Sequence, residues 1–209
     1  MGTRNTNTSY IRLCDFAENE KLIKTEFLKI ADEVIRSEYV IRDDNRGKIT
    51  DLLKYFTGNP CELNPNKGIY IFGTYGCGKT VLFKTIQLLL ARLFPFSPNG
   101  FQITSLEQII EKFKAEKNLD YFGYREDSTP NYLCINEFGK RLDEKIFGTD
   151  ANAVITSLFM IRYELFQQGY YTHITSNFHP KDLELEPVVR DRLNEMFNFV
   201  EFKGGSFRK

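Results

Sequence analysis

From Gly68 to Leu93 the chain reads GIYIF, then GTYGCGKT, then VLFKTIQLLLARL. An apolar run short enough for a buried strand leads into a glycine-rich turn, and the turn leads into a helical repeat. Few segments constrain a fold more. The turn satisfies G-x-x-x-x-G-K-[ST] between a strand and a helix, where its backbone N–H groups converge on one anion. Gly73, Gly76 and Gly78 allow that turn, and the positive end of the following helix faces the same point. The expected nucleotide contacts are Gly73, Thr74, Tyr75, Gly76, Cys77, Gly78, Lys79, Thr80 and Val81. Lys79 is placed to reach the β- and γ-phosphates, and the Thr80 hydroxyl to ligate Mg²⁺. The loop leaves the reaction open, since kinases, GTPases, motors and switches all use it.

The rest of the chain alternates strand and helix. Residues 1–15 read as a frayed polar start. Ile23, Phe27, Ile30 and Val34 recur at helical spacing between Glu18 and Glu38. RDDNRGK at 42–48 reads as a loop and ITDLLKYF as a short second helix, and 57–68 is dense in Gly, Pro and Asn. After the phosphate loop, FQIT at 101–104 is a strand, and Ser105 with Gln108 forms a capping box for a helix to about Lys117. Residues 118–131 read as loop. YLCIN is a strand, Ala151 to Gln168 a long helix stopped by Gly169, YYTHITSN a strand, EPVVRDRLNEMF a helix and NFVEF the last strand. Nearly all-apolar strands alternating with helices imply a parallel sheet covered on both faces. The boundary is expected near residue 60: a helical N-terminal segment, 1–59, as a partner-binding region, and a phosphate-loop α/β core over 60–209.

The 209 residues suit one α/β core with a short appendage. Lys plus Arg and Asp plus Glu number 28 each, which argues against a bulk electrostatic grip on DNA. Cys14, Cys61, Cys77 and Cys134 form no C-x-x-C pair, so a zinc knuckle is not expected and a reducing compartment is. The start MGTRNTNTSY lacks the apolar run of a secretory signal. Its Gly2 and Thr6 fit a myristoylation pattern only loosely. No apolar run reaches the ~20 residues of a membrane helix. A cytoplasmic protein is the expectation.

Two further stretches carry chemistry. LCINEFG, 133–139, has the form of the strand that in ATPases ends in a metal-holding Asp and a water-polarising Glu. Glu137 suits the second task. Asn136 stands where the Asp belongs: its amide oxygen still accepts from a metal-bound water but carries no charge, a loss of about 1–3 kcal/mol in metal binding. An acid such as Asp143 or Glu144 in the following loop would compensate. In THITSN, Asn177 lies just past its strand, where an amide holds the attacking water or the γ-phosphate; a turn-forming Asn is the plainer alternative. His173 and His179 read as packing or surface residues. Arg190, Arg192 and Arg208 in the tail suit insertion into a neighbour's nucleotide site, while a solvated helix face is the default for any one of them.

NPNKGIYIFGTYGCGKT, YLCINEFG, IRYELFQQGYYTHITSN and VVRDRLNEMFNFVEFKGGSFRK together resemble the DnaC/IstB-type AAA+ ATPases, over roughly residues 60–209. These are bacterial and phage replicative helicase loaders and ATPase helpers of transposases. The resemblance implies a three-layer α/β/α P-loop NTPase core with a five-stranded parallel sheet, preceded by a short helical segment. It implies Lys79 and Thr80 as the Walker A pair, Asn136 and Glu137 in the Walker B places, and Asn177 as sensor 1. It also implies Arg192 of the DRL helix as the arginine finger and Arg208 of the SFR ending as the sensor 2 arginine. Arg162 fits the family pattern without an assigned role. In this family the 105–131 region contacts single-stranded DNA, and here it offers Lys112, Lys114, Lys117, Tyr121, Phe122, Tyr124 and Arg125. Basic residues among aromatics suit phosphates and stacked bases. Glu111, Glu116 and Asp120 dilute the charge, and a solvated helix with a loop is an equal reading. The implied function is an ATP- and Mg²⁺-dependent DNA-replication accessory, a helicase loader that assembles into homo-oligomers on ATP. Its partner is a replicative helicase, or a transposase in the IstB-type reading. A slow hydrolase, a nucleotide-gated scaffold and a small-molecule phosphotransferase are the alternatives. Glu137, and the lack of an Arg-rich lid between 110 and 170, oppose the last.

Overall fold

The computed structural model describes residues 10–125, 127–139, 145–146 and 149–205. Five strands form one parallel sheet: β1 (Gly68–Phe72), β2 (Phe101–Ser105), β3 (Tyr132–Phe138), β4 (Thr172–Ser176) and β5 (Phe197–Glu201). Their spatial order is β2-β3-β4-β1-β5. Tyr70 pairs with Ile174, Gly68 with Phe197, Phe101 with Tyr132 and Leu133 with Thr172. The helices are α1 (Phe16–Ile35), α2 (Asp43–Phe56), α3 (Lys79–Leu93), α4 (Leu106–Glu116), α5 (Ala151–Gln167) and α6 (Pro187–Met196). A two-residue antiparallel ladder joins Lys145–Ile146 to Thr149–Asp150.

Period-2 alternation sorts the strand side chains into two cores. Ile69, Ile71 and Cys134 face a layer built from α1, α2 and α3. Tyr70, Leu133, Ile135 and Ile174 face a layer built from α4, α5 and α6. This is the three-layer α/β/α P-loop fold that the sequence implies. The Ser105–Gln108 capping box at the start of α4 is present in both directions. Gly169, at φ 89, follows the end of α5.

Two local readings need correction. Residues 43–48 are the first turns of α2, not a loop. Asp43 and Asp44 favour the helix N-terminus, and Asn45 is buried there rather than solvated. Of the start expected to fray, Tyr10 is buried at 5 % exposure. Its ring stacks on Tyr132 and meets Tyr55 and Phe56 edge-on. Residues on both sides of position 60 share one cluster, from Tyr10, Phe16 and Phe27 to Ile69 and Leu82.

Arg162 gains a role. Fully buried in α5, it donates from Nε to Thr172 Oγ1 (2.7 Å) and from Nη1 to the Phe122 and Asn131 carbonyls. Nη2 donates to the Tyr171 carbonyl (3.0 Å). The guanidinium pins the 122–131 loop to the start of β4. Burial pulls its pKa down to about 9, so it remains a cation at neutral pH.

Candidate functional site

β1 delivers the phosphate loop and α3 leaves it. Gly78, at φ 99, occupies the N-cap position of α3, so the first N–H groups of that helix open toward the loop. Gly73 is required for a second reason: a β-carbon there would lie 2.1 Å from the Phe202 carbonyl. Above the loop lies a cavity of about 410 Å³. Tyr75, Gly76, Gly78, Lys79, Thr80 and Val81 line one side, and Glu137, Thr175, Ser176 and Asn177 line another. Of the other expected contacts, Cys77 is buried beneath the loop, and Gly73 and Thr74 turn their carbonyls to Lys79.

Lys79 is 6 % exposed and ties the loop to the neighbouring strand. Its Nζ donates to Gly73 O (2.8 Å), Thr74 O (2.9 Å) and Asn177 Oδ1 (2.8 Å). The Walker A lysine and the residue matched to sensor 1 are therefore in direct contact.

Asn136 and Glu137 lie in the last three residues of β3, beside them. Asn136 Oδ1 accepts from two hydroxyls, Thr80 Oγ1 at 2.8 Å and Thr175 Oγ1 at 2.7 Å. The Thr175 hydroxyl in turn accepts from the Glu137 N–H (3.1 Å). The β3–β4 register shifts between Ile135 and Phe138, and within that bulge Glu137 adopts φ 57. A left-handed non-glycine residue in a bulge is strained, and the bulge re-aims its side chain. Here the re-aimed carboxylate lines the cavity. Sequence reading overlooked Thr175, which fixes both members of the pair. Its signal was the TSN triplet itself.

The oxygen donors at this corner suit a hard divalent cation that keeps most of its water. Thr80 Oγ1 and Asn136 Oδ1 already sit within hydrogen-bond distance of each other. The set is neutral except for Glu137, so it fits Mg²⁺ held largely by the phosphates. Among the described residues, no cluster of three or more His, Cys, Asp or Glu side chains forms a metal site. All four cysteines are free thiols.

The remaining expected residues fall elsewhere. Arg192, in α6, is not among the cavity's lining residues. Its guanidinium sits 4.3 Å from the Tyr163 ring centroid and touches the Met160 sulfur. Tyr163 Oη donates to Glu195 (2.9 Å) on the same helix face. Arg208, Asp143 and Glu144 lie outside the described residues. The chain approaching Arg208 is held at the phosphate loop, where Thr74 Oγ1 donates to Gly204 O (2.5 Å).

The residues proposed for DNA line different places. Lys112 and Tyr121 share a cavity with Gln102 and Gln108. Lys112 lies over the Tyr121 ring (3.6 Å) and pairs with Glu116 (3.2 Å). Arg125 lines another cavity with Phe96, Tyr132 and Tyr170, and Tyr124 bridges to Pro130. Lys117 lies 5.9 Å from the Phe113 ring, and Lys114 stands in the last turn of α4. His173 is fully buried; His179 caps the turn at Pro180 by accepting from Lys181 N.

The cavity has a wall that sequence reading missed altogether. Ile35 at the end of α1, with Ser37, Glu38, Tyr39 and Val40 between α1 and α2, faces the phosphate loop across it. No motif marks them, since their position depends on how α1 packs against α3.

A family model described as AFG1-like ATPase matches residues 24–203. No curated protein sequence matches the chain. Among solved structures, the DnaC helicase loader superposes with a TM-score of 0.58 at 17 % identity, covering 79 % of this chain and 94 % of that one. Domain III of the Thermotoga maritima replication initiation protein DnaA gives 0.57 at 19 % identity, covering 79 % and 65 %. The replication initiator DnaA bound to AMPPCP and single-stranded DNA gives 0.55 at 16 % identity, covering 80 % and 49 %. The chain thus spans less than two thirds of the one DnaA chain and about half of the other. At such identities the likeness is one of fold. Among the described residues, no helix is long and apolar enough to cross a membrane.

Proposed function

The chain belongs to the AFG1-like ATPase family, matched over most of its length, and from that premise we propose that it binds ATP and hydrolyses it slowly as a DNA-replication accessory of the helicase-loader kind. One observation carries the reading. Lys79, Thr80, Glu137 and Asn177 line a single cavity at the N-terminus of α3, and Asn136 is hydrogen-bonded to two residues of its wall, Thr80 and Thr175. The loop N–H groups and Lys79 hold the β- and γ-phosphates. Thr80 and, through a water, Asn136 would hold Mg²⁺, which would supply charge that offsets that of the phosphates. Glu137 orients the attacking water and draws its proton. Asn177, released from Lys79, reports the γ-phosphate. Arg192, lying away from its own cavity, serves the site of a second copy, and Arg208 acts as sensor 2. Single-stranded DNA runs over the Lys112–Arg125 region, and a replicative helicase is the protein partner. The DnaC helicase loader and the DnaA–AMPPCP–DNA complex share the fold and lend this choice its support.

The neutral Asn136 favours a second reading, a scaffold that ATP assembles without turnover. A transposase partner instead of a helicase would keep the same site. The experiment compares ATP turnover of the wild type, Glu137→Gln and Asn136→Asp, with and without single-stranded DNA, while light scattering follows mass. Expected are ATP-dependent assembly, slow turnover raised by DNA, turnover abolished by Glu137→Gln, and turnover raised severalfold by Asn136→Asp. Tight ATP binding with no wild-type turnover under any condition would replace the hydrolase with the scaffold.

A further inference from the structure

Tyr39 belongs to the segment that closes the cavity from the α1 side. Arg36, at φ 57, ends α1 and turns the chain back across it. Asp32, inside α1, accepts from the Tyr39 backbone N–H at 2.6 Å. The Tyr39 ring meets Phe27 edge-on, with centroids 6.0 Å apart and planes at 78°. The backbone and the ring are thus each anchored to α1, and together they set where the hydroxyl points. It points at the phosphate loop: a β-carbon placed on Gly78 would lie 3.9 Å from the Tyr39 oxygen. Gly78 is the N-cap of α3, beside the N–H groups that receive an anion.

That hydroxyl has no hydrogen-bond partner among the described residues, although the residue is half-buried and lines the cavity. The oxygen opens onto the cavity, and because ring and backbone are both held, a ligand that accepts from it meets a donor whose ordering is already complete. A donor held this way beside a phosphate loop is matched by the ligand. We infer that Tyr39 Oη donates a hydrogen bond to a phosphate oxygen of the bound nucleotide, adding a side chain from the α1–α2 connection to the phosphate cradle. The inference rests on the nucleotide-binding reading above. Burial, with the nearby Cys77 thiol, pushes the Tyr39 pKa up to about 12. The phenol therefore remains a donor wherever nucleotide phosphates are ionised.

Tyr39→Phe removes the oxygen and keeps the ring against Phe27. Calorimetric titrations of the full chain with ADP, and separately with pyrophosphate, read the effect. Tyr39→Phe is expected to weaken both ligands by roughly tenfold, as for a hydrogen bond to a charged acceptor. The melting temperature of the unliganded protein is expected to stay unchanged. Equal affinities in wild type and Tyr39→Phe overturn the inference. So does a loss for ADP with none for pyrophosphate, which assigns the hydroxyl to the nucleoside. A wild type that binds ATP and ADP while Tyr39→Phe is indistinguishable leaves the nucleotide reading standing and removes this one alone. A wild type that binds no nucleotide removes both.

Discussion

Asn136 and His173 are polar residues in apolar strands, and each is accommodated by partners from another strand or a distant segment. Asn136 takes two hydroxyls, one from the phosphate loop and one from β4. His173 is fully buried and takes a backbone donor, Ile69 N, on Nδ1 at 3.2 Å. Because an amide N–H only donates, the neutral ring carries its proton on Nε2 and gives it to Tyr10 Oη at 2.6 Å. Burial, reinforced by the charge of Arg162, pulls the His173 pKa down to about 3. Between pH 6.5 and about 3 the unfolded chain therefore binds a proton that the folded chain does not. Stability from this residue is intact above pH 6.5 and declines as pH falls through that window. Urea titrations at pH 7 and pH 4.5 should show His173→Gln losing about 2–3 kcal/mol less than the wild type between the two pH values. Equal losses would mean that another group dominates the acid limb. In the sequence this histidine was legible as a packing residue, but its partners were not, since Tyr10 lies 163 positions away.

At the scale of elements, strands and helices with strong periodicity appear where their apolar pattern puts them. β1, α3, α4 with its capping box, and α5 with its terminal glycine are local structures written in local residues. The start of α2 is different. Asn45 reads as a loop residue, yet it is 2 % exposed and clasps the chain beyond β5. Its Nδ2 donates to Lys203 O (2.7 Å), and its Oδ1 accepts from Lys203 N (3.1 Å). Arg42 donates to Gly205 O (2.8 Å), and Lys48 to Glu201 O (2.5 Å). With Thr74 on Gly204, these bonds join α2, the phosphate loop and the segment after β5. Asn45→Ala leaves two backbone groups of Lys203 without their partner, so a loss of about 2–3 kcal/mol is expected. Hydrogen exchange should quicken at residues 201–205 well before it quickens in β1 or β4. Uniform acceleration across the sheet would mean that the clasp is not a separable unit.

Across the whole molecule, the sheet presents the phosphate loop, Glu137 and Asn177 at the C-terminal ends of its three interior strands. Arg192 occupies α6, away from that cavity. If Arg192 serves a second copy, Arg192→Ala and Lys79→Ala should each lack turnover alone and regain part of it when mixed. A mixed oligomer contains interfaces where an intact loop meets an intact arginine. No recovery on mixing, or full turnover in Arg192→Ala alone, would place the arginine outside the reaction.

By itself the sequence determined the parallel α/β class, the phosphate loop, and the strand ends that hold Asn136, Glu137 and Asn177. Those features follow from periodicity and from short spacings along one chain. Only the tertiary structure decided that Thr175 aligns the Asn136–Glu137 pair, that Arg162 is a buried tie, and that residues 35–40 wall the cavity. The physical reason is common to all three. Each depends on a hydrogen bond or packing contact between segments that no local pattern links, and burial makes such a contact binding once the two layers close on the sheet.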